Sequence, residues 1–150
     1  MKKILTFALA MVMCLTAFAG CGGSKDVKLD EVMNKINTEY KLNLKKIDDL
    51  NKYYQVSNDD VKQFAAEINS DSNAPVEIVL VEAKDSDAAK NIAEKLDAHL
   101  KSNINQYASY SKENKAMAEK CKVTNENNFV TLIMAEDAEG MLNIFNDSVK

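Results

Sequence analysis

Apolar positions divide the chain into one unbroken run and several periodic stretches. Lys2 and Lys3 precede an uncharged, apolar segment, Ile4 to Ala19, rich in Leu, Met, Phe and Ala. Beyond it, Leu29, Val32, Met33, Ile36 and Tyr40 recur at spacings of 3, 1, 3 and 4. That period predicts an amphipathic helix over "LDEVMNKINTEY". Leu44, Ile47, Leu50 and Tyr54 suggest a second, shorter helix, after which "VSND" breaks the pattern with turn and capping residues. "VKQFAAEI" fits two templates: Val61, Phe64, Ala65 and Ile68 match a helix, whereas Phe64, Ala66 and Ile68 match one face of a strand.

"APVEIVLVEA", residues 74–83, is rich in β-branched residues and apolar on both faces at its centre, which predicts an interior strand with Pro75 at its entrance. The longest helix follows in "DSDAAKNIAEKLDAHLKSNINQY". Its stripe is Ala89, Ile92, Ala93, Leu96, Leu100 and Tyr107, and Asp85 or Ser86 supplies the cap. "CKVT" alternates as a strand, "NEN" supplies a turn, and "FVTLIMA" is a second interior strand, so the three read as a hairpin. A last helix aligns Ala138, Met141, Leu142, Phe145 and Val149. At an offset of 52 residues, "AKDSDAAKNI" (83–92) and "AEDAEGMLNI" (135–144) coincide at five of ten positions: Ala, Asp, an acid, Asn and Ile. Each follows an apolar strand and opens a helix. The repeat favours strand for residues 61–68 and a strand-strand-helix unit used twice. The expected fold is α+β: a four-stranded antiparallel sheet with helices packed on one face, preceded by one or two N-terminal helices, all in one domain spanning residues 29–150.

The first 28 residues read differently. A basic start, an apolar middle and small residues at the exit are the marks of a secretory signal over residues 1–20. Ala19-Gly20-Cys21 then places two small residues before a thiol that can accept a diacylglycerol, and Gly22-Gly23-Ser24 opens a flexible tether, residues 21–28. Phe18 stands where a bacterial lipobox usually has leucine. Ordinary cleavage after Ala17-Phe18-Ala19 is the competing fate and would give a secreted soluble protein. An uncleaved anchor is disfavoured, because sixteen apolar residues fall short of the roughly 20 that span a bilayer. Cys14 follows bulky Met13 and is no rival acceptor. The expected lipidation site is Cys21.

Charge then narrows the partners. Removing Lys2 and Lys3 leaves 17 basic against 23 acidic groups, a formal charge of −6 on 130 residues. The chain has no arginine, so it lacks the planar fork that grips phosphate in bidentate fashion. Together these argue against nucleic acid as a partner. Export permits disulfides, but with Cys14 removed and Cys21 acylated, Cys121 has no cysteine left to pair with.

Candidate chemistry is sparse. His99 is the sole histidine and falls at the edge of the apolar stripe of the long helix; no serine or cysteine nearby in sequence completes a catalytic set. Cys121 reads as a small buried side chain on the inner face of its strand, where burial raises a thiol pKa and silences it. "NSDSNA" (69–74) resembles the start of a calcium loop, but glycine is missing at its sixth position and Leu80 occupies its twelfth, so it reads as a hairpin turn. Asp48-Asp49 and Asp59-Asp60 read as capping or solvated pairs. Tyr53, Tyr54, Tyr107 and Tyr110 read as the edge of the core, with an interface role as the alternative. No Gly-rich phosphate loop exists, and only Gly140 lies beyond residue 23. No cofactor, metal or catalytic residue is therefore assigned.

The strand "VEIVLVEAKD", the long helix, the Tyr-containing connection "YASYSKEN" and "CKVTNENNFVTLIMAED" together resemble an uncharacterised family of small Gram-positive lipoproteins carrying a domain of unknown function. The resemblance covers most of residues 1–145. It implies strand for residues 61–68 and a membrane-anchored envelope protein, and it brings no catalytic residues. Two functions are expected from all this. The first is a non-enzymatic module on the outer face of the cytoplasmic membrane, bound to the membrane through its lipid anchor and presenting a face to an envelope protein or small ligand. The second is a small envelope hydrolase that uses Glu77, Glu82 and Asp85 brought together by folding.

Overall fold

A computed structural model describes residues 27–69 and 75–150. In chain order the elements are α1 (Leu29–Tyr40), β1 (Lys45–Ile47), α2 (Leu50–Tyr54), a 3-10 turn (Asn58–Asp60), β2 (Val61–Ile68), β3 (Glu77–Ala83), α3 (Ser86–Tyr107), α4 (Lys112–Ala118), β4 (Val123–Glu126), β5 (Phe129–Met134) and α5 (Ala138–Val149). The fold is α+β. Its five strands form one antiparallel sheet in the order β1-β2-β3-β5-β4. Residues 61–68 are a strand, paired from Val61↔Ala83 to Ile68↔Glu77. The two interior strands meet at the centre, Glu77↔Met134 through Glu82↔Phe129.

Two expectations are corrected. The sheet has five strands rather than four, because Lys45–Ile47 pairs antiparallel with β2 instead of continuing a helix from Leu44. The physical reason lies at Asp49. Its carboxylate accepts the backbone N–H groups of Asn51 and Lys52 at 2.9 and 3.1 Å, so the helix can start only at Leu50. Upstream of that cap, Ile47 enters the core while Lys46 points out to Asp30.

The helices cover both faces of the sheet, not one. Val79, Val81 and Ala83 join Val130, Leu132 and Met134 in a core closed by α2, α3 and α4. Ile78 and Leu80, with Phe129 and Ile133, form a second core closed by α1 and α5. β3 and β5 are apolar on both sides, and an apolar sheet face left bare costs about 25 cal/mol per Å². A single helical layer would therefore leave half of each strand in water.

This arrangement also decides the internal repeat. Ala83 and Ala135 are equivalent at the offset of 52, yet they point into opposite cores. The two-fold rotation that relates antiparallel neighbours is normal to the sheet and would keep equivalent residues on one face. The similarity of the two segments is therefore local: in each, an aspartate caps a helix after a strand. Asp85 accepts from Asp87 N and Ala88 N, and Asp137 accepts from Gly140 N at 3.0 Å.

Smaller differences have similarly local causes. The connection after α3 contains a further helix, α4, started by Ser111, whose hydroxyl accepts from Asn114 N. β4 begins at Val123, two residues later than "CKVT" implied. The β4–β5 loop has two residues, Asn127 and Asn128, with φ of 51° and 66°. Asparagine is among the few residues that enter this left-handed region readily, which is what a tight hairpin with the native twist requires.

At the N-terminal end α1 lacks a capping side chain of its own. Gln63 of β2 takes over: its Oε1 accepts from Leu29 N at 3.1 Å, and its Nε2 donates to Val27 O at 2.7 Å and to Glu82 Oε2 at 2.6 Å. The chain thus enters the domain fastened to the sheet. Residues 1–26, with Cys21, and residues 70–74 of the expected hairpin turn lie outside the described residues; the β2–β3 pairing on either side of the turn closes through Asn69 N to Val76 O at 2.7 Å.

Candidate functional site

Alternation along β3 sets the site. Glu77 shares its face with Val79 and Val81, so its carboxylate enters the apolar layer beneath α3 and is 1 % exposed. A charge in that position needs a partner. α3 lays Ala89, Ile92, Leu96 and Leu100 on this layer, which brings His99 to the rim of the stripe with its side chain 25 % exposed. Nε2 of His99 lies 2.8 Å from Glu77 Oε1. Asn103, one helical turn further along the same side, places Nδ2 at 3.0 Å from His99 Nε2 and 3.4 Å from Glu77 Oε2. The 2.8 Å approach is a close polar contact between ring and carboxylate, and Glu77 Oε1 has no well-aligned hydrogen bond.

Two tyrosines complete the enclosure. The Tyr54 ring meets the His99 ring edge-on, centroids 4.8 Å apart. The Tyr54 hydroxyl is shut in beside the carboxylate without a well-formed hydrogen bond. Burial, with the Glu77 charge adding to it, pushes the Tyr54 phenol far above its ordinary value. Tyr107 is pushed up to about 12, first by burial and then by the charges of Tyr110 and Glu77.

Outside this buried group lies a pocket of about 260 Å³, walled by Tyr53, Tyr54, Gln55, Lys95, His99 and Ser102. Tyr53 is 39 % exposed there, with the Lys52 ammonium 5.7 Å above its ring. No carboxylate lines the wall; Glu77 sits behind the imidazole. The cluster thus joins a solvent-facing imidazole to a buried acid.

The other sequence candidates separate. Glu77 and Glu82 stand at opposite ends of β3, about 16 Å apart by strand rise, and on opposite faces: Glu82 binds Lys62 and Gln63 on the α1 side. Asp85 is committed to capping α3. The three carboxylates proposed for hydrolysis do not converge. Among the described residues no group of three or more His, Cys, Asp or Glu could hold a metal.

Cys121 lies before β4 rather than on it and is half-buried. Its thiol points to Met117 O at 3.3 Å, and burial pushes its pKa up. It borders another pocket, of about 360 Å³, between the segment before β4, β5 and α5. Asp49 is a cap, and Asp59 and Asp60 form the 3-10 turn begun by Ser57, whose hydroxyl accepts from Asp59 N. Tyr54 and Tyr107 are core; Tyr53 and Tyr110 are exposed.

Residues 34–135 match the family described as Domain of unknown function (DUF4358). The chain belongs to this family. The matched residues run from within α1 to just past β5 and include Glu77, His99 and Asn103. Cys21 and α5 fall outside the match, so membership in DUF4358 carries no information about the N-terminal segment. Comparison with curated proteins and with solved structures gave no match.

Sequence reasoning noted His99 and Glu77 separately and missed their pairing. A signal was present. Glu77 has the same parity as Val79, Val81 and Ala83, so an acid stands on a strand face that is otherwise apolar, directly before the helix that holds the only histidine.

Proposed function

We propose that this DUF4358 protein is a non-enzymatic binding module, held at the outer face of the cytoplasmic membrane by lipid on Cys21. One observation carries the anchor: Ala19-Gly20-Cys21 places an acceptor thiol between an apolar export segment and the Gly22-Gly23-Ser24 tether. The tether leads within a few residues to Val27 and Leu29, which Gln63 fixes to the sheet. The binding role is supported by the open pocket over His99 and by the separation of Glu77, Glu82 and Asp85. A stable anchor needs at least two acyl chains, since one gives only marginal membrane binding. The diacylglycerol expected on Cys21 meets that requirement.

The test is fractionation of the host cell with intact mass measurement. The wild-type chain is expected in the membrane fraction, beginning at an acylated Cys21, and the Cys21→Ala variant in the supernatant with its fold unchanged. A variant that stays firmly membrane-bound, or a native chain that retains Met1 or starts unacylated after Ala19, would overturn the anchor.

A further inference from the structure

We propose that the pocket above His99 binds the anionic oxygens, carboxylate or phosphate, of a small ligand. The inference rests on the binding half of the reading above and is independent of the anchor. Its first support is the composition of the wall. The chain is acidic, at −4, yet this pocket presents Lys95, His99, Gln55, Ser102 and the Tyr53 hydroxyl without a single carboxylate. Each of those groups can donate a hydrogen bond. The second support is the arrangement behind the wall. His99 Nε2 lies 2.8 Å from the buried Glu77 and the Tyr54 ring packs edge-on against the imidazole, so the ring is held in place at the pocket wall. An anion seated there meets the imidazole and the Lys95 side chain on one wall. The third support is the flank. The exposed Tyr53 ring gives the rest of the ligand a surface to lie on, which a bare ion would not use.

The chain holds one histidine, so its imidazole resonance needs no assignment. Full-length protein in detergent micelles, ¹³C-labelled at histidine, is titrated with sodium phosphate in one arm and sodium acetate in another, against sodium chloride at matched ionic strength. A saturable millimolar shift is expected with an oxyanion and not with chloride. Saturation by phosphate alone assigns a phosphate ligand, by acetate alone a carboxylate, and by both the shared chemistry. Lys95→Ala alters an exposed side chain, so the fold is retained, and should weaken binding roughly tenfold. A drift equal to that in chloride in both arms, or unchanged affinity in Lys95→Ala, overturns the site. Either outcome leaves the Cys21 anchor standing, because fractionation reads that separately.

Discussion

His99 and Glu77 approach to 2.8 Å between Nε2 and Oε1 and so link the middle of α3 to the first residue of β3. The carboxylate is buried, whereas the imidazole reaches solvent, and the two ends of the pair therefore differ in what their loss costs. His99→Leu leaves an uncompensated carboxylate in an apolar layer and is expected to destabilise the protein by about 3 kcal/mol. Glu77→Gln keeps the shape and removes the charge, at about 1 kcal/mol. The double variant Glu77→Leu/His99→Leu should lose less than His99→Leu alone, because neither residue is then stranded. Urea unfolding of wild type, His99→Leu, Glu77→Leu and the double variant measures this coupling; strictly additive losses would remove it.

Burial of two tyrosines near the same carboxylate governs behaviour at high pH. Tyr54 and Tyr107 both ionise above the ordinary 10.0 in the folded protein, Tyr107 at about 12. Above pH 10 the unfolded chain releases these protons first. Stability is therefore full below pH 10 and declines as pH rises toward 12 and beyond. Each proton contributes a slope of about 1.4 kcal/mol per pH unit. Tyr54→Phe should flatten the decline by up to that slope. Equal alkaline slopes in variant and wild type would show that Tyr54 is not enclosed by Glu77.

How much of this was legible follows from where the information sits along the chain. β3 and α3 could be read directly, because β-branched residues on both faces and a 22-residue stripe are periodic signals of unusual length. The apolar character of β3 on both faces already demanded two helical layers, and the expectation of one layer contradicted it. β1 could not be read: its three residues share their apolar spacing with a helix, and only pairing with Ile68, Glu67 and Ala66 makes them a strand. α4 is short and defined chiefly by its Ser111 cap. The site was legible only in pieces. Glu77 and His99 are 22 residues apart on a strand and the following helix, with no motif between them, and only the fold brings one to the other.

Cys121 offers a chemical test of burial. Its thiol is half-enclosed against Met117 and Ala135, and its pKa is raised, so the reactive thiolate is scarce near neutral pH. Peptide-resolved alkylation with N-ethylmaleimide at pH 7 should modify Cys121 at least tenfold more slowly in the folded protein than in denaturant. Equal rates would place the thiol in open solvent and void its reading as a silent side chain.

The last prediction concerns the contact between α1 and α5. Tyr40 donates its hydroxyl hydrogen to Asp137 Oδ2 at 2.8 Å, and that bond holds the phenol above its ordinary pKa. Gly140 leaves the space: a Cβ there would overlap both the Tyr40 hydroxyl and the Asp137 carboxylate. In an open helix Gly→Ala gains about 1 kcal/mol. Here the methyl group displaces the tyrosine hydroxyl, at about 1 kcal/mol, and disturbs the cap that Asp137 forms on Gly140 N, at about 1 kcal/mol more. The losses exceed the gain, so Gly140→Ala should be destabilising by about 1 kcal/mol and should return the Tyr40 phenol toward 10.0 in an NMR titration. In the Tyr40→Phe background Gly140→Ala should cost less than it does in the wild type, since the hydroxyl is no longer in the way. A stabilised Gly140→Ala protein with an unmoved Tyr40 titration would mean that helix propensity, and not this contact, decides the residue at position 140.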